Sequence, residues 1–274
     1  MAGNLLQRVA LWMYRRAERS GVLANRPGRR LYEIAYGRYK RHVEDPFYNL
    51  ARRHPELFAG GHILDVGANI GYTTVIFATV IQPGFQVWAF EPASDNLRRL
   101  QSVIDHRRLQ SIVSVRRAAV SDRSGTTDLV LNPDNPADHR LPALPGSAPA
   151  VRPTQRVSVT TIDDEVQARG ITPVSFIKID VQGCELRVCR GMTATLDDNP
   201  AAAVAVEFSP ELMRTYGDDP EDLPRFFAGR AYEAFRLTHR GDLEPMDAAA
   251  FRGRLPSRGY IDVLFTRRRG EQRS

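Results

Sequence analysis

Lysine is almost missing from this chain of 274 residues: only Lys40 and Lys178 stand among its 38 basic positions. The rest of the positive charge is arginine, so a retained lysine marks a place where a compact ammonium is wanted rather than a flat guanidinium. Cysteine is as scarce, with Cys184 and Cys189 alone and no Cys/His cluster beside them. That excludes a disulfide framework and a structural zinc site, and it fits a reducing compartment. No apolar run reaches the ~18 residues of a membrane span. The first residues lack the continuous apolar core of a signal peptide, which sets a cytoplasmic expectation. The net charge of +6 is small and dispersed, with arginine-rich stretches at 15–30 and 267–269, so no dedicated nucleic-acid surface is expected. The six histidines fall into no metal or triad spacing; His139 is the one placed where it can reach an acceptor. Neither serine nor cysteine has the setting of a nucleophile.

What the chain does have is the stretch Ile63-Leu64-Asp65-Val66-Gly67-Ala68-Asn69-Ile70-Gly71-Tyr72. A short apolar run ends in a glycine turn and passes into a helical segment, the strand–turn–helix unit that binds nucleotide-like ligands. Gly67 and Gly71 permit positive φ and close approach, and Asn69 tolerates the left-handed region. The dinucleotide fingerprint would place a glycine where Asn69 stands, and no carboxylate before the loop. Asp65 would repel a pyrophosphate and attract an amino group, which favours S-adenosylmethionine over NAD.

Past this unit strands alternate with helices, the pattern of an α/β fold with a mostly parallel, Rossmann-like sheet covered on both faces. Residues 1–58 read as an N-terminal helical cap and 59–266 as the ligand-binding domain, with 267–274 a basic tail. Within the cap, residues 4–20 carry Leu5, Val9, Trp12 and Met13 at helical spacing. Two readings stand for them: an interfacial helix making peripheral membrane contact, or a helix packed on the domain or on a second subunit of an oligomer. Strands are expected at 85–90, 112–117, 174–180 and 201–208, and helices at 94–106 and 185–196. A hairpin pair at 126–131 and 156–160 flanks an insertion, 132–155, that carries six prolines. Such a segment is a functional lid or is disordered.

Four strand ends carry the remaining chemistry. Glu91-Pro92 closes the second strand 24 positions after Gly67, where a carboxylate can hold ribose hydroxyls. Ala119 and Asp122 follow the third, as room for an adenine ring and an acceptor for its amine; an Asx-type turn explains Asp122 equally well. Lys178 and Asp180 share one face of a buried strand and so require partners or a ligand. Glu207 ends the next strand near them. Asp180 and Glu207 can serve as a general base or an oxygen-rich cation site, and Lys178 can steady a developing alkoxide. A buried structural ion pair to Asp180 or Glu207 is the competing account of Lys178.

These motifs, with Ala119-Val120-Ser121-Asp122, Thr160-Thr161-Ile162-Asp163-Asp164 and Phe176-Ile177-Lys178-Ile179-Asp180-Val181-Gln182-Gly183-Cys184-Glu185, resemble in order the FkbM family of methyltransferases over about residues 30–266. The resemblance implies a class I methyltransferase fold and, in the main, O-methylation of hydroxyls on sugars or polyketide-type products. It implies that Asp65, Gly67, Asn69 and Gly71 face the methionine part of S-adenosylmethionine, with Glu91 at its ribose; Ala68, Tyr72 and Pro92 in the same motifs are expected in the cofactor-binding set. Where the family commonly has Asp-Val-Glu-Gly, this chain has Gln182. The expectation is therefore an S-adenosylmethionine-dependent O-methyltransferase with a small-molecule or glycan acceptor; a divalent cation is left open. An NAD-dependent oxidoreductase and a non-catalytic S-adenosylmethionine-binding protein are the alternatives.

Overall fold

The structure is a computed structural model that describes residues 46–133, 135, 138–142, 153–253 and 259–267. The helix expected over 4–20, most of the cap, most of the insertion and the tail from 268 onward lie outside the described residues. Among those described, no helix is long and apolar enough to cross a membrane.

The chain enters through α1 (Phe47–Arg53) and a 3-10 turn (Pro55–Phe58). β1 (His62–Val66), α2 (Tyr72–Ala78), β2 (Val87–Phe90), α3 (Ser94–Arg107) and β3 (Val113–Arg116) follow. Next come β4 (Ala119–Val120), β5 (Gly125–Val130), β6 (Thr154–Thr160), α4 (Ile162–Arg169) and β7 (Val174–Ile179). The last part holds α5 (Glu185–Arg190), α6 (Thr193–Asp198), β8 (Ala203–Phe208), α7 (Pro210–Thr215), α8 (Asp222–Ala228), β9 (Tyr232–Leu237), β10 (Leu243–Met246), α9 (Ala248–Arg252) and β11 (Ile261–Arg267).

The main sheet has the strand order β10-β9-β11-β8-β7-β1-β2-β3. The five strands from β8 to β3 run parallel, and β11, β9 and β10 extend them antiparallel. The chain winds outward from β1 through β2 to β3, then returns to β7 on the other side. The crevice beyond the carboxyl ends of β1 and β7 is thus the switch point where open α/β sheets take ligands.

At its centre the sheet is covered on both faces, and all six residues of β7 are buried. Phe176 packs on one face with Phe47, Phe58 and Phe77, its ring centroid 4.4 Å from that of Phe58. Ile177 and Ile179 pack on the other with Leu186, Val188, Leu196 and Val204. Each such side chain contributes roughly 1.5–3 kcal/mol by leaving water, so the described part of the expected cap is joined to the main core through Phe47, Leu50 and Phe58.

Three local readings change. The helix expected over 185–196 is two, α5 and α6, broken at Gly191-Met192. A Cβ on Gly191 would lie 2.2 Å from the Ser121 carbonyl oxygen, so the chain turns where another backbone crosses it. The pair flanking the insertion forms as expected, but β5 and β6 join β4 in a separate sheet of order β4-β6-β5. The stretch 117–122, read as loop, supplies that third strand. Thr154 and Gln155, read as the end of the insertion, begin β6.

The motif at 160–164 is a capping device. The Thr161 hydroxyl oxygen accepts from the Asp164 amide at 2.9 Å and starts α4. The Asp163 carboxylate accepts from the amides of Ala194 and Thr195 and from the Thr195 hydroxyl, satisfying the first turn of α6.

Candidate active site

The glycine turn after β1 is fixed by backbone that passes beneath it. Gly67 has φ +79°, and a Cβ there would fall 1.8 Å from the Asp180 carbonyl oxygen. Glycine is therefore required at 67 by packing before any ligand is considered. The amides of Gly67 and Ala68 both donate to the Phe90 carbonyl, at 3.1 and 2.9 Å, locking the turn to the end of β2. Asn69 stands at φ +52° and Gly71 at +90°, the left-handed positions expected from the sequence. Tyr72 then opens α2.

Asn69 directs its amide to Glu91 Oε2 at 2.9 Å. Glu91 Oε1 accepts from the Ala93 amide at 2.9 Å and from Asn96 Nδ2 at 3.5 Å. Burial dominates over these donors and raises the Glu91 carboxyl to about 7. The Pro92 carbonyl takes Gln155 Nε2 at 3.1 Å, while Gln155 Oε1 accepts from the Ser94 amide. The small sheet is thereby tied to the loop after β2.

Lys178 is the hub of the turn. Its Nζ donates to the Gly67 carbonyl at 3.0 Å and lies 3.5 Å from Asp65 Oδ1 and 3.4 Å from Asp180 Oδ2. Asp65 is fully buried; its Oδ2 accepts from Thr73 Oγ1 at 2.9 Å and Thr74 Oγ1 at 2.6 Å. The end of β1, the glycine turn and the end of β7 thus meet at one ammonium, and the start of α2 holds Asp65 through its two threonines. The cation that Asp65 holds is supplied by the chain itself.

Outward from Lys178 the carboxyl edge becomes accessible. Asp180 has 31 % of its side chain exposed against 6 % for Lys178. Gln182 Nε2 reaches Asp180 Oδ1 at 2.8 Å and Glu207 Oε1 at 3.2 Å. Glu207 pairs in register with Asp262 of β11. Burial first, and then Asp180, Asp262 and Glu185 around it, push the Glu207 carboxyl well above the usual range. Glu185 is buried at the start of α5, with Oε1 accepting from the amides of Val181 and Gly183 at 3.2 and 2.9 Å; burial raises it to about 7. One cation among several carboxyls is a setting in which some of them stay protonated at neutral pH.

The structure therefore brings together Asp65, Gly67, Ala68, Asn69, Glu91, Lys178, Asp180 and Glu207 at the switch point. Ala119 is buried in β4 and packs in one small cluster with Ala93, two positions after Glu91. Asp122 is exposed, and its Oδ1 accepts from the hydroxyl of its neighbour Ser121 at 3.2 Å. His139 accepts from the Asn132 amide through Nδ1, holding the start of the insertion against β5. Among the described residues no group of three metal-ligating side chains has the geometry to hold an ion. A surface hollow of about 540 Å³ lined by His62, Ile81, Gln86 and Ser111 sits at the amino ends of β1 and β2, opposite these residues.

Sequence reasoning missed Thr73 and Thr74, Asn96, Gln155 and Asp262. Asp262 had a signal, a lone acid in the apolar run Ile261-Asp262-Val263-Leu264-Phe265, the same signal that marked Glu207. The others contribute through hydrogen bonds that no spacing rule announces.

A methyltransferase FkbM domain model matches residues 65–234. The chain is 29 % identical over 166 residues to a 31-O-demethyl-FK506 methyltransferase, FkbM, of Streptomyces tacrolimicus, covering 50 % of this chain and 61 % of that protein. It is 28 % identical over 166 residues to a hexuronic acid methyltransferase, AglP, of Haloferax volcanii, covering 60 % of each. The chain thus spans about three fifths of the length of these curated relatives. Among solved structures, it is similar to a methyltransferase FkbM from Methylobacillus flagellatus, with a TM-score of 0.49 at 20 % identity over 84 % of this chain and 50 % of that one.

Proposed function

Because the chain belongs to the FkbM methyltransferase domain family, we propose that it is an S-adenosylmethionine-dependent O-methyltransferase acting on a hydroxyl of a sugar or polyketide-type molecule. Two names support the acceptor class: one relative is named for a 31-O-demethyl compound and the other for a hexuronic acid.

The residues at the switch point fit S-adenosylmethionine. The turn from Gly67 to Gly71 carries small residues at 67, 68 and 71, and Glu91 keeps acceptor capacity on Oε2, which takes one bond where Oε1 takes two. Asp65, Asn69, Tyr72, Pro92 and Ala119 would complete the holding set, with Asp65 acting through Lys178 and the two threonines. When bound, S-adenosylmethionine supplies an electrophilic methyl carbon.

The chain's own part is orientation and proton removal. Asp180 stands where a carboxylate meets solvent, with the Lys178 ammonium 3.4 Å from it as counter-ion, and it accepts the proton of the acceptor hydroxyl. Glu207, whose carboxyl its surroundings push well above the usual range, hydrogen-bonds the acceptor rather than competing for that proton. Lys178 fixes Asp180 relative to the glycine turn, so acceptor and methyl donor share one frame.

The observation that carries this reading is the Lys178 ammonium, which joins the Gly67 carbonyl to Asp180 in a single contact set. Isothermal titration with S-adenosylmethionine and with NAD tests the donor, and methyl transfer to hexuronic acid glycosides tests the reaction. Tighter binding of NAD overturns the proposal. Binding of S-adenosylmethionine with an Asp180→Asn variant as active as the parent removes the proton-acceptor role.

A further inference from the structure

Gln182 is a polar side chain at the mouth of the site to which the mechanism gives no work. Its single amide nitrogen carries two hydrogens, and each is spent on a different carboxyl: Asp180 Oδ1 at 2.8 Å and Glu207 Oε1 at 3.2 Å. The backbone that aims it has no slack. Gln182 is left-handed at φ +58°, and Gly183 follows at φ +106°. A Cβ on Gly183 would lie 2.6 Å from Tyr216 Cε2, so the turn is pressed against α7 and its flank. On the other side the turn's amides, Val181 and Gly183, are both gripped by Glu185 Oε1. A non-glycine residue kept in the left-handed region by packing on one side and hydrogen bonds on the other is a sign of a position held for a purpose.

The groups facing this amide explain what the purpose is. Asp180 follows the end of β7 and Glu207 lies in β8; Asp262 of β11 and Glu185 of α5 stand around Glu207, and the cation among them is Lys178. A carboxylate at position 182 would add a further negative charge to that set, and an apolar side chain would leave the two oxygens without their shared donor. An amide is the uncharged group of this length that donates to both at once. Resting on the methyl-transfer reading, we infer that Gln182 is a positioning residue: by bridging Asp180 and Glu207 it sets the spacing of the two carboxyls and keeps Asp180 available for the acceptor's proton.

Two variants of similar length separate this role from a structural one, because both keep the same backbone strain. Gln182→Glu replaces the donors by acceptors, and Gln182→Met removes them. The first readout needs no turnover: carboxyl carbon-13 signals of the folded protein are titrated, with Asp180 and Glu207 assigned by difference from Asp180→Asn and Glu207→Gln. A donor hydrogen bond favours the charged form. Its loss should raise the Glu207 midpoint, by about one pH unit for the Met variant and by more for the Glu variant, which also adds charge. The second readout is the pH profile of kcat with a hexuronic acid glycoside. Its acid limb should move upward, while affinity for S-adenosylmethionine stays within twofold. Midpoints that do not move in either variant overturn the bridge. Midpoints that move under an unchanged pH profile overturn the positioning role. If the parent protein transfers no methyl group, the methyl-transfer reading fails by itself and the inference that rests on it falls, whereas the titration still reports whether Gln182 couples the two carboxyls.

Discussion

Lys178→Met is the perturbation that asks most of the structure. The ammonium is 6 % exposed and faces Asp65, whose side chain is fully buried, at 3.5 Å. Removing it leaves Asp65 with only the Thr73 and Thr74 hydroxyls on Oδ2 and nothing on Oδ1 to offset its charge. Stripping one member from a buried ion pair costs about 3–5 kcal/mol, because the remaining charge is stranded. Against a typical stability of roughly 5–15 kcal/mol, that is a large share, and for a chain of this size it lowers Tm by about 6–20 °C. Asp65→Asn should return most of the loss when combined with Lys178→Met, since the stranded charge goes with it. Thermal and urea unfolding of the parent, both single variants and the double variant form a cycle that reads the coupling directly. The coupling energy should be about 2 kcal/mol or more. Lys178→Arg keeps the charge but not the compact shape; on the proposed mechanism it folds, binds S-adenosylmethionine within a few-fold, and loses methyl transfer by ~100-fold, the size of a placed catalytic group. A Met variant that loses under about 1 kcal/mol, or a double variant whose loss equals the sum of the singles, refutes the hub. A stable, fully active Arg variant refutes the catalytic placement of the ammonium.

Three further outcomes are expected. Glu185 rises from an ordinary 4.5 to about 7 on folding, so the stability linked to its proton is present below about pH 4.5 and lost as pH climbs through 7; Glu185→Gln should remove a few kcal/mol of that decline between pH 5 and pH 8, and an unchanged difference in urea midpoint at the two pH values counts against it. Glu91→Ala should weaken S-adenosylmethionine binding by about 1.5–3 kcal/mol in calorimetry, the range for a charged hydrogen-bond partner; affinity within twofold of the parent takes Glu91 out of the site. Gly67→Ala should fail to give a folded monomer or lose well over ~3 kcal/mol, because its Cβ meets the Asp180 carbonyl at 1.8 Å; a variant melting with the parent would disprove the close crossing of the two loops.

The elements that carry the site were legible because each announced itself by a local rule. β1 and its glycine turn followed from an apolar run ending in Asp65-x-Gly67, and the positive φ at Gly67, Asn69 and Gly71 followed from the residue types. The face-sharing of Phe176, Lys178 and Asp180 followed from strand alternation. What could not be read were facts that depend on a crossing. Gly191 looked like a tolerable helical residue until the Ser121 backbone proved to lie against it. Ala119-Val120 looked like loop, since two residues carry no periodicity and their pairing partner is Val159-Thr160 in β6. The partner of Lys178 was expected to be Asp180 or Glu207; Asp180 is one, but the buried one is Asp65, a neighbour set by the parallel register of β1 on β7.

That register also explains how one site can be both rigid and reactive. Asp65 and Lys178 are paired across adjacent strands, and their contacts close on the chain itself: two threonine hydroxyls and one carbonyl. Along the same strand, two residues further toward the carboxyl end, Asp180 meets the same ammonium from the solvent side. Lys178 therefore links a carboxylate that is spent on structure to one that keeps capacity for an outside partner. Such an arrangement asks for a cation that is small enough to lie between strands, donating to the Gly67 carbonyl while standing within ion-pair distance of two carboxylates. A guanidinium holds its donors in one plane and suits a single bidentate partner, so the arginine favoured elsewhere in this chain is the wrong shape here. The lysine at 178 follows from the geometry of the switch point, and the chemistry proposed for Asp180 follows from the lysine.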